Sequence, residues 1–327
     1  MTHSLAALLA LLVSAVLPPE RPVPAPRRPI VLLVHGRGQV GDSVSLHHAA
    51  TRALLEGAEA VSGHALLRDG DVRLVWYADL LSEQGVSTPE CPAPQRARAT
   101  GSPVSVDPGA LDMFSLVAAA FLELAGEDTR DSPLASVRGL IGDVRFLTNP
   151  SARCAAEGRI ANAIAVAAGE GRPVILVAHS LGGLMAWGHL QNRVHGMRSI
   201  PSVHRFVTLG SPVGSPEVRQ FVFGSSGTLG LPAGVDSWVN VVDLDDPFAT
   251  PLLPAIDADS TTTITTGPGL RDAMTESRRD DVHDLRGYLR DPAATHAILD
   301  AWCSAMRGDR DSASACATLL LTSPQAR

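Results

Sequence analysis

Residues 177–183, with the sequence Val-Ala-His-Ser-Leu-Gly-Gly, connect an apolar segment to a segment with helical spacing. The segment before them, 174–178, is apolar without interruption, which is typical of a central strand buried on both faces of a parallel sheet. Ser180 follows this segment closely, and small residues lead from it into the helical pattern of 183–193. We therefore predict a strand, a tight turn at Ser180 and a helix.

The predicted turn has the pattern of a nucleophile elbow, G-x-S-x-G, with Ala178 in place of the first glycine. Small residues two positions before and after the serine leave room for a strained turn that lifts the hydroxyl above the sheet. The positive N-terminal end of the following helix favours a developing negative charge. Ser180 is therefore the candidate nucleophile, and His179 and Gly182 support the motif. The alternative is a serine that does no more than cap the helix.

An earlier strand end carries a second motif. The apolar run at 30–34 stops at the glycine-rich sequence His-Gly-Arg-Gly. Its first two residues, His35 and Gly36, resemble the oxyanion loop of lipases and esterases. That resemblance implies an oxyanion hole formed by the backbone N–H groups of Arg37 and Leu181. We interpret His35 as a structural residue that holds the loop, and the alternative for the whole motif is a simple glycine-rich turn.

Strands and helices alternate along most of the chain, which predicts βαβ units and a mostly parallel central sheet flanked by helices. The predicted strands are 30–34, 72–77, 174–178, 206–209, 238–242 and a weaker one at 262–266. The predicted helices are 43–57, 183–193 and 292–306. No internal repeat is visible.

One long stretch, at about 81–150, interrupts this alternation. Its first half is rich in loop-forming residues, and its second half contains an amphipathic pattern at 110–125. An insertion of this length between neighbouring strands is often a cap or lid. An ordinary crossover helix with a decorated loop is the alternative. We predict one domain at 29–327 that contains this lid-like insertion.

Four motifs, in this order, resemble those of serine α/β-hydrolases of the lipase and esterase kind. They are LLVHGRG at 32–38, VAHSLGG at 177–183, VTLGSP at 207–212 and WVNVVDLDDPF at 238–248. The third motif is typical of lipase-like members, including bacterial lipases and proteins similar to GPI inositol-deacylases. The resemblance covers most of the chain from 29 to about 306. It implies an α/β-hydrolase fold and the chain order serine, acid, histidine.

The resemblance also implies that the catalytic acid follows the fifth predicted strand, where Asp243, Asp245 and Asp246 are available. In similar lipases the acid stands directly before a short apolar turn, often as Asp-Pro-Val. Asp246 matches this pattern best, because a proline and a phenylalanine follow it. Asp243 is the second choice because it ends the strand most directly. The aspartates that are not catalytic are expected to form a solvated acidic loop.

The catalytic histidine is expected after the acid, where only His283 and His296 occur. Similar enzymes carry this histidine a few residues before an aromatic residue and the final helix. His283 fits that position, whereas His296 falls inside the final helical pattern. The histidines assigned no chemistry include His47, His48, His64, His189, His195 and His204.

A triad of Ser180, His283 and Asp246 predicts carboxylic-ester hydrolysis through an acyl-enzyme. The expected substrate is a small-molecule or lipid ester, and no metal or organic cofactor is expected. Acyltransferase, thioesterase and amidase activities are alternatives on the same fold, since fold and triad do not choose the acceptor. A catalytically silent hydrolase fold used for binding is an alternative of another class.

The composition of the chain excludes some partners and some kinds of chemistry. The net charge is −7 and no long basic run occurs, which argues against a nucleic-acid partner. All 27 basic residues are arginines, so Schiff-base and Ser–Lys chemistry are excluded.

The N-terminal sequence predicts export. Residues 5–17 are apolar, which fits a signal-peptide core of about 7–15 residues better than a membrane span of about 20. A small-residue cleavage site lies near the end of this run, at 13–15, and a proline-rich linker follows the run at 18–29. We assign 1–28 to a signal peptide or anchor plus linker, and expect a secreted or periplasmic protein. There are two alternatives for this segment: a retained anchor that contacts a lipid surface, or a short buried helix. The predicted lid could contact a lipid surface as well.

The four cysteines support export, since disulfides form in oxidising compartments. We predict a disulfide between Cys303 and Cys316 and, by elimination, one between Cys91 and Cys154. Four free thiols in a cytosolic protein are the alternative. No C-x-x-C spacing occurs, so a zinc site is not expected.

Overall fold

The structure is a computed structural model of the chain. It describes residues 27–36, 42–81, 150–192, 201–223, 229–252, 265–267, 269–276, 282–307, 316–317 and 319. Nearly all of the predicted N-terminal segment and of the predicted lid at 81–150 lies outside these residues, as does Arg37. What the sequence predicts there stays a prediction.

A sheet of seven strands forms the centre of the fold. In chain order the strands are β1 (Ile30–Val34), β2 (Val72–Val75), β3 (Val174–His179), β4 (Arg205–Leu209), β5 (Trp238–Asp243), β6 (Thr265–Gly267) and β7 (Leu270–Thr275). Their spatial order is β2-β1-β3-β4-β5-β7-β6, and all neighbouring pairs are parallel except the edge pair of β6 and β7. The predicted α/β architecture with a mostly parallel sheet is confirmed.

Helices cover both faces of the sheet, which explains why the central strands are apolar without interruption. One face packs against α1 (Ser43–Ser62), α5 (Leu285–Arg290) and α6 (Pro292–Ala305); the other packs against α2 (Pro150–Gly169), α3 (Leu181–Asn192) and α4 (Pro216–Phe223). Strand β1 shows the division, because Val31 and Leu33 pack into one core while its other three residues pack into the second.

Strand β7 was not predicted from the sequence, and neither were helices α2, α4 and α5. The strand carries Arg271 and Asp272 at adjacent positions, so it lacks the apolar run that marks the other strands. Asp272 is nevertheless 1% exposed, because its carboxylate accepts hydrogen bonds from the Asn240 side chain and the Leu252 N–H. The weak prediction at 262–266 overlaps only the short antiparallel β6.

The ends of the helices follow their sequence signals. Helix α1 begins after Asp42, whose side chain accepts a hydrogen bond from the Ser45 N–H, and ends at Gly63 in the left-handed conformation. It is one turn longer than predicted. Helix α6 begins at Pro292, close to the predicted start. Within the described ranges, no helix is both long enough and apolar enough to cross a membrane.

The predicted disulfide between Cys303 and Cys316 is confirmed, and it ties the end of α6 to the following segment. Cys154 is also disulfide-bonded. Its predicted partner, Cys91, lies outside the described residues.

Candidate active site

The predicted motifs meet at one edge of the sheet. Strands β1, β3, β4 and β5 are parallel neighbours, so their carboxyl ends lie side by side. His35 follows β1, Ser180 follows β3, Gly210 follows β4, and the loop at 244–252 follows β5. In open α/β sheets, ligands bind outside the carboxyl ends of the strands.

Ser180 occupies the turn between β3 and α3 in a strained conformation. Its φ is 56°, and it is the one non-glycine residue with a positive φ among the residues that the structure describes. Left-handed backbone costs a non-glycine residue free energy, so the surroundings must hold it there. The Ser180 N–H donates to the carbonyl of Leu209, 2.9 Å away, which fixes the turn to the end of β4.

Two glycines of the motifs are required by close packing around this turn. A Cβ atom on Gly182 would overlap the carbonyl oxygen of His35, and one on Gly36 would lie 2.6 Å from the Ser180 Cβ. Real Cβ atoms do not approach other atoms this closely. The ends of β1 and β3 can therefore meet only with glycine at both positions.

His283 contacts both Ser180 and Asp246. Its Nε2 is 2.8 Å from the Ser180 Oγ, and its Nδ1 is 2.8 Å from the Asp246 Oδ2. Because an ionised carboxylate only accepts hydrogen bonds, the proton lies on Nδ1 and the Nε2 lone pair accepts the serine hydroxyl. Both distances are within the reach required of a nucleophile, its base and the group that orients the base. We call these three residues the carboxyl-edge triad.

A turn at the end of β5 brings Asp246, rather than Asp243, to the histidine. The Asp246 N–H donates to the Asp243 carbonyl, and the Asp243 carboxylate accepts from the Asp245 N–H, each at 3.1 Å. The Phe248 N–H donates to the Asp246 Oδ1 at 2.9 Å. The Phe248 ring also lies 4.6 Å from the His283 ring, so the residues after Asp246 help to enclose the pair.

The predicted oxyanion hole is described in part. Leu181 is the first residue of α3, where backbone N–H groups have no acceptor within the helix. Its N–H is therefore available beside Ser180, at the positive end of the helix dipole. The second predicted donor, Arg37, lies outside the described residues.

His35 and Tyr77 fasten the end of β1. The Tyr77 N–H donates to the His35 Nε2 at 3.3 Å, so the proton lies on Nδ1, which donates to the Gly36 carbonyl at 3.1 Å. The two rings stack with centroids 3.9 Å apart. The Tyr77 hydroxyl contacts the carbonyl oxygens of both His35 and Gly36. His35 does not belong to the hydrogen-bonded triad; it holds the strand end beside it.

The other supporting histidine, His179, is the last residue of β3 and lies beneath the triad. Its side chain is nearly buried, at 5% exposure. Its ring centroid is 4.8 Å from that of His283 and 5.8 Å from that of Tyr288. The alternative histidine, His296, lies inside α6, where its helical pattern placed it.

Sequence reasoning missed Tyr288, which contacts the acid. Its hydroxyl donates to the Asp246 Oδ2 at 2.7 Å. Burial, followed by the negative charge of Asp246, raises the pKa of Tyr288. The chain contains two tyrosines, and both lie at this edge of the sheet. The available signal was the scarcity of tyrosine and the position of Tyr288 shortly after His283.

A second serine, histidine and aspartate meet at the opposite, amino edge of the sheet, and we call them the amino-edge set. The His204 Nδ1 is 3.2 Å from the Asp236 Oδ2, and its Nε2 is 2.6 Å from the Ser304 Oγ. However, the Ser304 hydroxyl also has the Ala301 carbonyl within reach, at 2.9 Å. A backbone carbonyl therefore competes with His204 for the one proton of this serine.

Comparisons with protein-family models, with curated proteins and with solved structures found no match to this chain. The functional argument therefore depends on the geometry of the site. In the part of the chain that the structure describes, no three His, Cys, Asp or Glu side chains are grouped so as to hold a metal ion.

Proposed function

We propose that this chain is a serine hydrolase with the α/β-hydrolase fold, of the lipase and esterase kind, that cleaves carboxylic esters. One observation carries the proposal: Ser180, held at φ 56° between a strand and a helix, lies 2.8 Å from a histidine that is itself 2.8 Å from a buried aspartate. A serine, a base and an orienting acid within hydrogen-bond reach are the groups that acyl transfer to a serine uses, and the strained turn is that of a nucleophile elbow. The parallel sheet and the chain order of the three residues support the same assignment.

In the proposed reaction, His283 takes the hydroxyl proton as the Ser180 Oγ forms a bond to the ester carbonyl carbon. The carbonyl oxygen becomes an oxyanion beside the Leu181 N–H, with Arg37 as the second proposed donor. Asp246 stabilises the protonated imidazole. The bond to the alcohol oxygen then breaks as His283 returns the proton to it, and water repeats the sequence to release the acid.

A fluorophosphonate probe tests the nucleophile directly. We expect wild-type protein to be labelled and Ser180→Ala to be unlabelled. Ser304→Ala is the matched control, because it removes the serine of the amino-edge set and leaves the proposed nucleophile in place; it should label as wild type. Folded wild-type protein that fails to label, with and without detergent, would overturn the proposal.

The acceptor is tested with a short p-nitrophenyl ester in the presence and absence of an added alcohol. A hydrolase releases free acid in both reactions. An acyltransferase instead converts most of the acyl group into the new ester when the alcohol is present. The two outcomes separate hydrolysis from transfer, since both reactions use the same acyl-enzyme.

We further propose that the protein is exported. The Cys303–Cys316 disulfide supports this, since such bonds are rare in cytosolic proteins. Sequencing the N-terminus of the protein recovered outside the cytoplasm provides the test. Cleavage after Ala15 is the expected result, whereas a protein found only in the cytoplasm with its first residues intact would contradict it.

A further inference from the structure

The carboxylate of Asp246 receives three hydrogen bonds in a site closed to solvent. Oδ2 accepts from the His283 Nδ1–H at 2.8 Å and from the Tyr288 hydroxyl at 2.7 Å, and Oδ1 accepts from the Phe248 N–H at 2.9 Å. The Asp246 side chain is 0% exposed. Tyrosine and histidine therefore share one oxygen atom of a carboxylate that bulk solvent does not reach.

Tyr288 acts in this contact as a neutral donor. Its side chain is buried, and the residue lies in the first turn of α5, the helix that Asp284 caps. Burial is the main cause that raises its pKa, and the charge of Asp246 is the second. The phenol is therefore protonated at neutral pH, where even an unperturbed tyrosine keeps its proton. Since a carboxylate can only accept, the direction of the bond is fixed.

The end of β4 packs closely against the contact between Tyr288 and Asp246. Gly210 has a φ of 53°, and a Cβ atom there would lie 2.7 Å from the Asp246 Oδ2 and 2.7 Å from a ring carbon of Tyr288. Glycine is the residue that accepts both the positive φ and the close approach. The carboxylate and the phenol are therefore packed as a pair against the strand end, and neither can swing away.

Other ionisable groups also face this pair. Asp243, at the end of β5, adds a negative charge that further raises the pKa of Tyr288. His179, at the end of β3, lies 5.8 Å from the Tyr288 ring and 4.8 Å from the His283 ring. The backbone of Asp243 also hydrogen-bonds to the Tyr288 hydroxyl, so Tyr288→Phe removes that bond together with the one to the Asp246 carboxylate.

We propose that Tyr288 is a positioning residue of the hydrolase described above: its hydroxyl fixes the Asp246 carboxylate and limits how strongly that carboxylate stabilises protonated His283. The inference rests on the proposed function. Two donors on one oxygen divide its negative charge, so the hydrogen bond from tyrosine weakens the one from histidine. The base then loses its proton at a lower pH than it would beside an aspartate with no tyrosine.

The test is Tyr288→Phe, followed by the pH profile of kcat/KM. Without the hydroxyl, Oδ2 carries more negative charge for His283, so the imidazole stays protonated to higher pH. The midpoint of the acid limb should rise by about half a pH unit to one unit. We expect kcat per fluorophosphonate-titrated site to fall about tenfold with KM unchanged, since the phenol does not touch substrate.

Tyr77→Phe is the matched control. It removes the other buried tyrosine hydroxyl at this edge, which contacts backbone carbonyls of 35 and 36 and not the acid. It should leave the midpoint of the acid limb at the wild-type position. In addition, Tyr288→Phe should cause no further shift or loss in an Asp246→Asn background, because residues that act as a unit are not additive.

A purely structural role predicts a different result. Tyr288→Phe would then lower the thermal midpoint but leave both the acid limb and the rate per titrated site at wild-type values, and this would overturn the inference. The far-downfield proton signal of the imidazole Nδ1–H gives a readout that needs no turnover. Tyr288→Phe should move it further downfield. If the signal moves while Ser180 reacts with no ester or probe, the proposed function fails and the contact between tyrosine and acid stands.

Discussion

The carboxyl-edge triad and the amino-edge set contain the same three residue types at similar distances, but they differ in the other contacts of the serine and in the exposure of the aspartate. In the triad, the serine hydroxyl is directed at a histidine lone pair. In the amino-edge set, a backbone carbonyl 2.9 Å from the serine hydroxyl competes with the histidine for the serine proton. The aspartate side chain is 0% exposed in the triad and 61% exposed in the amino-edge set. Solvent therefore weakens the interaction between His204 and Asp236 but does not weaken the one between His283 and Asp246.

This difference teaches that proximity of serine, histidine and aspartate does not define a nucleophile. The serine must also be able to transfer its proton to the histidine. In addition, hydrogen-bond donors must be in place to stabilise the oxyanion that forms when the serine attacks. Ser180 stands at the beginning of α3, at the positive end of the helix dipole, whereas Ser304 lies near the end of α6. Each of the following predictions compares a substitution in the triad, or in the turn around Ser180, with a control in the amino-edge set or elsewhere in the fold.

The largest expected effect is on turnover when the base is removed. His283→Ala should lower kcat for a p-nitrophenyl ester by about five orders of magnitude. His204→Ala should leave kcat within about twofold of wild type, since it touches no reacting atom. Steady-state kinetics normalised to folded protein measure both. Comparable losses in the two variants would mean that the comparison between the sets is wrong.

The next effect concerns the acid. Asp246→Asn should lower kcat by about four orders of magnitude, because the amide no longer holds the proton on Nδ1 of His283. Asp236→Asn should have no effect on kcat, and Asp243→Asn should have much less effect than Asp246→Asn. A larger loss from Asp243→Asn would transfer the role of acid to that residue. The same ester assay decides.

A smaller effect is expected on stability when the turn around Ser180 is crowded. Gly182→Ala should lower the free energy of unfolding by about 1–3 kcal/mol, because its Cβ overlaps a backbone carbonyl. Gly158→Ala is the control: the glycine lies in α2 with open space around it, so the change should raise the free energy of unfolding by about 0.5–1 kcal/mol. Urea denaturation measures both, and the opposite order would contradict the packing argument.

The smallest effect tests the strain at the nucleophile. Ser180→Gly should be about 1 kcal/mol more stable than Ser180→Ala, because glycine has no penalty at φ 56°. At Ser304, inside α6, the order should reverse, with glycine about 0.5–1 kcal/mol less stable than alanine. Unfolding free energies of the four variants provide the measurement. If glycine and alanine rank in the same order of stability at both positions, the claim that the backbone of Ser180 is strained is wrong.

Much of the fold could be predicted because its central strands are buried on both faces. Strand β3 is fully buried along its length, and its apolar run identified it from the sequence alone. Strand β7 could not be found this way, since the burial of Asp272 depends on partners from β5 and from the following loop. A buried polar residue has no signature in hydrophobic periodicity.

In the candidate site too, some residues could be predicted from a sequence pattern and others could not. Ser180 was predicted from a local pattern, because the turn itself demands small neighbours, and the structure brings Asp246 and His283 to it. The contacts of Tyr288 and Tyr77 were not predictable, since they join residues more than 40 positions apart in the chain and no motif or chain order points to them. The amino-edge set was missed for the same reason.

The most direct test of the account is to locate the fluorophosphonate adduct by mass spectrometry of the labelled wild-type protein. The account predicts one adduct per chain, on the peptide that contains Ser180 and at that residue. An adduct at Ser304, or on any peptide other than the one that contains Ser180, would contradict the central claim that the carboxyl-edge triad holds the nucleophile.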